Sequence, residues 1–88
     1  MLDRTQPSAA DRIATLVQPL LAKRGIAREA EPEDNLTEIG LSSLDIVNLM
    51  LAVEAEFDIK IPDADTTPAN FRSIARIEAL VRTLSDVG

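Results

Sequence analysis

The chain has no cysteine, no histidine, no tryptophan and no tyrosine, and its aromatic content is two phenylalanines. The missing cysteine excludes both a disulfide staple and a thiolate metal site. Without histidine, cysteine or tyrosine, the usual general base, thiol nucleophile and phenol of a catalytic constellation are also missing. Carboxylates remain, and Glu54 and Asp58 share a helix face, but spaced acids on a solvated helix are ordinary surface. "DADTTPANF" lacks the glycine and terminal glutamate that an EF-hand loop needs, so no metal site is expected. The sequence therefore points away from an enzyme.

Long apolar runs are scarce as well. Charges interrupt every apolar stretch before the roughly 18 residues needed to cross a bilayer, and "MLDRTQPSAADR" lacks a basic-then-apolar signal pattern. A cytoplasmic protein without a membrane partner is expected. Eighty-eight residues with 45% hydrophobic content suit one domain over residues 1–88, with a folded core at about 8–84.

Charge of one sign is nearly absent from the middle of the chain. Residues 29–65 hold eleven acids against Lys60 alone, a local net of −10, whereas the flanks hold eight Lys or Arg against four acids, giving the overall −6. Such a block repels nucleic acid and anionic membranes and favours basic protein surfaces.

The residues that are present follow helical spacing. Ile13, Leu16, Val17, Leu20 and Leu21 make one stripe over residues 8–24, with Ser8 as N-cap, Asp11 three residues on, and Lys23, Arg24 and Gly25 at the stop. Pro19 predicts a kink or break within that helix. Residues 25–42 read as a long loop, pinned to the core by Leu36, Ile39 and Leu41. A second helix is expected over 43–57, with Leu44, Val47, Leu51 and Ala55 on one face and Ile46, Met50, Val53 and Phe57 on the next. A stripe that wide suits packing against more than one neighbour. "DIKIPD" has no partner strand and reads as a loop, followed by a short helical turn from Thr66 to Phe71 that Pro68 would open. Ser73 then caps a last helix through Leu84. The fold class is all-α, a small three- to four-helix bundle with a long first loop.

Ser42 and Ser43 stand where the second helix begins, and either could be only a helix cap. Their surroundings add more. "GLSSLDIVNLMLAVEAEFDIKIPD" resembles the acyl and peptidyl carrier-protein family, whose motif reads Gly-x-Asp-Ser-Leu-Asp, then a Glu-rich helix ending Glu-Phe, then Ile-x-Ile-Pro. Gly40, Ser43, Leu44, Asp45, Glu56, Phe57, Ile59, Ile61 and Pro62 fall at family-like positions without a gap.

The resemblance implies a covalent 4'-phosphopantetheine on Ser43, derived from coenzyme A, carrying an acyl or aminoacyl group as a thioester. It also implies docking of partners on Ser42, Leu44, Asp45, Asn48, Leu51, Glu54, Asp58 and Ile61. The partners would be a phosphopantetheinyl transferase, an adenylating ligase or acyltransferase that loads the arm, and a downstream transferase or synthase, with the carrier a monomer. A helix N-terminus suits a phosphodiester, since its unpaired N–H groups and positive dipole end favour an anion. Docking through Asp45, Glu54 and Asp58 would weaken as salt rises.

Ser42 stands where the family usually has Asp, and Asn48 where fatty-acid carriers often have Glu, which directs the chain toward a dedicated partner. The form looks like the small stand-alone carriers of amino acid:carrier protein ligases, or carriers of specialised acyl pathways. A small or polar cargo is expected, because Leu41, Met50, Val53, Ile61, Phe71 and Ile74 fill the interior densely. The alternative is an unmodified helical interaction domain in which both serines are caps.

Overall fold

The computed structural model describes residues 8–87, which form three α-helices: α1 (Ala9–Lys23), α2 (Ser43–Phe57) and α3 (Ile74–Val87). A single 3-10 turn, Asp63–Asp65, follows Pro62. No strand occurs among the described residues.

α1 starts as its sequence dictates. The Ser8 hydroxyl accepts the Asp11 N–H at 3.1 Å and the Asp11 carboxylate accepts the Ser8 N–H, a capping box that satisfies two otherwise unpaired donors. At its other end the N–H groups of Gly25 and Ile26 donate to the carbonyls of Ala22 and Leu21, both at 2.9 Å, with Gly25 at φ +76°. That pair of bonds is the Schellman stop, which needs a left-handed residue where Gly25 stands. The helix is continuous through Pro19, which replaces the expected break. Pro19 lies on the exposed side, so water can serve the carbonyl that its missing N–H leaves free.

α1 is the helix on which both α2 and α3 pack. Ile13, Val17 and Leu21 are fully buried and meet Leu49 and Val53 from α2 and Ile74, Ile77 and Val81 from α3 in one cluster. The loop between α1 and α2 is part of this core. Leu36 and Leu41 are buried and Ile39 packs against them. The loop's backbone is tied to the start of α3: Leu36 N–H donates to the Arg72 carbonyl at 2.8 Å and Ala75 N–H to the Pro32 carbonyl at 3.0 Å. Asn35 Oδ1 accepts from the Thr37 N–H and hydroxyl, closing the turn in front of Leu36.

Gly40 ends this loop at φ +133°, a conformation disfavoured for any residue with a Cβ, and an added Cβ would also meet the Ile26 side chain. Gly40→Ala is expected to cost roughly 1–3 kcal/mol, most of it from the backbone, since the Ile26 methyl can move aside. Chemical denaturation of the two proteins measures it, and equal midpoints would contradict it.

Residues 67–71 close two successive turns, the Asn70 and Phe71 N–H groups donating to the Thr67 and Pro68 carbonyls at 3.1 and 3.2 Å, which is the short helical turn expected from Pro68. The same i to i+3 bonding occurs earlier at Asp63–Asp65, after Pro62. One expectation needs correction. The face of α2 carrying Leu44, Val47, Leu51 and Ala55 packs on nothing; these residues are exposed, and the core side is Leu49 and Val53. The wide apolar stripe thus has a buried half and a bare half.

Candidate functional site

The two serines have different environments. Ser42 is the N-cap of α2: its hydroxyl accepts the Asp45 N–H at 3.1 Å, and its own N–H donates to Asp45 Oδ2 at 3.0 Å. This is a second capping box, written in the sequence as Ser42-x-x-Asp45, the same spacing as Ser8-x-x-Asp11. Arg24, the C-cap residue of α1, closes the cluster. Its Nε donates to Asp45 Oδ2 at 2.7 Å and its Nη2 to the Ser42 hydroxyl at 2.9 Å. The Ser42 oxygen therefore accepts two hydrogen bonds and is committed to structure.

Ser43 is the first residue of α2, its side chain is exposed, and its hydroxyl has no hydrogen-bond partner among the described residues. Of the first-turn donors, Asp45 N–H is taken by Ser42 Oγ and Ile46 N–H by the Ser42 carbonyl at 3.0 Å, whereas those of Ser43 and Leu44 have no such acceptor. An oxygen nucleophile free of internal bonds thus sits beside unpaired N–H groups at the positive end of a helix. These residues fit a phosphodiester on Ser43: the hydroxyl is accessible, and the helix end favours the anion.

Asp45 is not the surface contact that its sequence position suggested. The residue is 2% exposed, and its carboxyl is held down to about 2 by the Arg24 guanidinium and then by the Ser42 N–H. The value lies below the reference of 3.8, so Asp45 stabilises the fold fully above about pH 4, and that contribution is lost as pH falls toward 2. Asp45→Asn is expected to lower stability at pH 7 and to flatten the fall in thermal midpoint between pH 4 and pH 2. An acid limb identical in both proteins would show that the Arg24 contact carries no such linkage.

Ile61, expected as a docking residue, is likewise buried, at 5% exposure, and its side chain belongs to the core. Its N–H donates to Glu54 Oε2 at 2.7 Å, which draws the "DIKIPD" loop onto α2 and occupies Glu54 internally. Glu56 is paired with Arg12, whose guanidinium also lies 4.3 Å from the centre of the Phe57 ring. Of the remaining expected docking residues, Leu44, Asn48, Leu51 and Asp58 are exposed, Asp58 as the left-handed C-cap of α2 at φ +54°. Leu44 and Leu51, at 66% and 59% exposure, flank Val47 at 46% along the bare face that starts at Ser43.

A cleft of about 470 Å³ opens next to Ser43, between α2 and residues 66–72. Ile46, Val47, Met50 and Phe71 give it apolar walls, and the Thr66 and Thr67 segment forms its far side. This space lies at the surface, beside the filled core and not within it. The turn segment before α3 lies across from Met50 and leaves the cleft open between them. Four features are absent from the sequence reading: the Ser42–Asp45 capping box, the Arg24 latch on it, the internal use of Glu54, and the cleft. Only the capping box has a local signal, the Ser-x-x-Asp spacing, since the others depend on contacts across the fold. No cluster of candidate metal ligands and no helix long and apolar enough to cross a membrane occurs among the described residues.

Comparison with known proteins agrees with this geometry. Residues 11–81 match the family described as "Phosphopantetheine attachment site". Aminoacyl carrier protein 1 of Bradyrhizobium diazoefficiens is 45% identical over 73 residues, covering 83% of this chain and 81% of its own. Aminoacyl carrier protein 2 of the same organism is 39% identical over 80 residues, covering 91% and 90%. Among solved structures, a chain from the crystal structure of Bradyrhizobium japonicum glycine:[carrier protein] ligase with its cognate carrier protein and a glycyl adenylate analogue superposes with a TM-score of 0.72. It is 43% identical to this chain, and the alignment covers 86% of this chain and 99% of that one. With its motif serine free at the head of α2 and most of its length matched, the chain belongs to the phosphopantetheine-attachment family of carrier proteins.

Proposed function

We propose that this protein is an aminoacyl carrier whose attachment residue is Ser43, and that the chain itself catalyses nothing. The observation that carries the assignment is the contrast between the two hydroxyls: Ser42 accepts two internal hydrogen bonds and Ser43 none. When attached, phosphopantetheine supplies a terminal thiol on which an aminoacyl group is held as a thioester. The chain's own part is to present that position. Ser42, Asp45 and Arg24 fix the first turn of α2, the free N–H groups of Ser43 and Leu44 face the anion, and the absence of cysteine leaves no protein thiol to compete for the cargo.

The loading partner is an adenylating ligase of the amino acid:carrier protein kind, and a downstream transferase takes the group. The kinship to carriers seen in complex with a glycine:[carrier protein] ligase supports a small amino acid as cargo. The test is intact mass after incubation with a phosphopantetheinyl transferase and coenzyme A. Wild type and Ser42→Ala gain one phosphopantetheine and Ser43→Ala gains none. A Ser43→Ala protein that is still modified overturns the assignment of the residue, and a wild type that is never modified leaves the unmodified interaction domain as the reading.

A further inference from the structure

The cleft beside Ser43 has a charge pattern opposite to that of the chain. In a molecule of net −6, no carboxylate lines it, and Arg72 is its single charged lining residue among those described. Arg72 is held there by its backbone, whose carbonyl accepts the Leu36 N–H at 2.8 Å. Its side chain is exposed and, among the described residues, pairs with no carboxylate, whereas Arg12, Arg24, Arg28 and Arg82 each do. Apolar side chains, Ile46, Val47, Met50 and Phe71, make up the walls, so a charge that enters the cleft meets Arg72 with no carboxylate at hand to offset it.

We propose that Arg72 determines which cargo the cleft accepts: it bars an ammonium-ended aminoacyl group and admits neutral or carboxylate-ended acyl groups. This inference rests on the reading of Ser43 as the attachment residue. An aminoacyl thioester has consumed its carboxyl, so its one ionised group is the amino group, protonated below roughly pH 7.7. Repulsion from Arg72 keeps that end outside the fold, where a partner enzyme can reach it. A neutral short acyl chain gains from contact with Met50 and Phe71, and a half-thioester of a dicarboxylic acid gains the Arg72 ion pair as well.

The test uses the full chain carrying glycyl, butyryl or succinyl groups on its arm, joined through an amide in place of the thioester so that they survive the measurement at pH 6. The readouts are the Met50 methyl and Phe71 ring NMR shifts, relative to the arm-bearing protein without cargo. In wild type, glycyl is expected to leave both signals in place, while butyryl and succinyl move them several-fold more. In Arg72→Glu the order reverses, with glycyl moving them and succinyl not. In Arg72→Gln the three cargoes converge. Arg72 is exposed, so these variants keep the packed core. Glycyl shifts as large as butyryl shifts in wild type, or a pattern that ignores the charge at position 72, would overturn the role of Arg72 while leaving the carrier assignment intact. An arm that never adds to Ser43 would overturn both.

Discussion

Leu36→Ala is expected to lower the thermal midpoint by on the order of 8–40 °C. The residue is fully buried although it belongs to the long connection between α1 and α2, and truncating a buried leucine costs about 2–5 kcal/mol. At roughly 0.05–0.15 kcal/mol per residue, a chain of this size holds about 4–13 kcal/mol in total, so one side chain represents a large share. One kcal/mol moves the midpoint of such a domain by about 4–8 °C, which gives the expected range. The backbone bonds at this position, the Leu36 N–H to the Arg72 carbonyl and the Leu41 N–H to the Leu36 carbonyl at 3.0 Å, are kept by alanine, so the loss is that of the packed side chain which pins the segment leading to Ser42 and Ser43. Leu44→Ala is the control, because an exposed leucine truncated in the same way is expected to change stability by no more than about 0.5 kcal/mol. Equal midpoints for the two variants would mean that the loop is not held by the core.

The helices and the anchors of the loop are legible in the sequence because each rests on local pattern. The bounds 43–57 of α2, the Ser8 and Ser73 caps and the burial of Leu36 and Leu41 follow from spacing and capping chemistry alone. Ser43 as the proposed attachment residue comes from the register of the family motif rather than from local pattern, which left either serine open as the cap; the structure gives that cap to Ser42. What the pattern does not carry is the partner of each polar group. Asp45 reads as an exposed acid in an acidic stretch until Arg24, 21 positions away, is seen against it. Glu54 reads as surface until the Ile61 N–H is found on its carboxylate. Periodicity likewise gives the width of the α2 stripe but not which half is covered, because that depends on where α1 lies.

Those pairings change the expected physics of docking. The sequence assigns it to Asp45, Glu54 and Asp58 with Leu44 and Leu51 as apolar contacts between them, and so anticipates docking that weakens as salt rises, but Asp45 is bound to Arg24 and Glu54 to the loop, and of the three acids Asp58 alone, at the far end of α2, has no such partner. What remains on the outward face from Ser43 onward is Leu44, Val47, Asn48 and Leu51, apolar with no unpaired charge. Any enzyme acting on a group held at Ser43 must approach along this face. A bare apolar stripe marks an interaction surface, and burying a charge in place of an apolar contact at the centre of an interface costs about 2 kcal/mol or more. Leu51→Asp is therefore expected to lower kcat/KM for loading by roughly 30-fold or more, at about tenfold per 1.4 kcal/mol, with the thermal midpoint of the free carrier unchanged. Asp58→Asn is expected to change it by less than about threefold, as is raising the salt from 50 to 500 mM, because a screened rim charge contributes little. Loading rates measured for both variants across that salt range decide the matter. A steep salt dependence together with an indifferent Leu51→Asp would return docking to the acids and leave the bare half of α2 without a role in it.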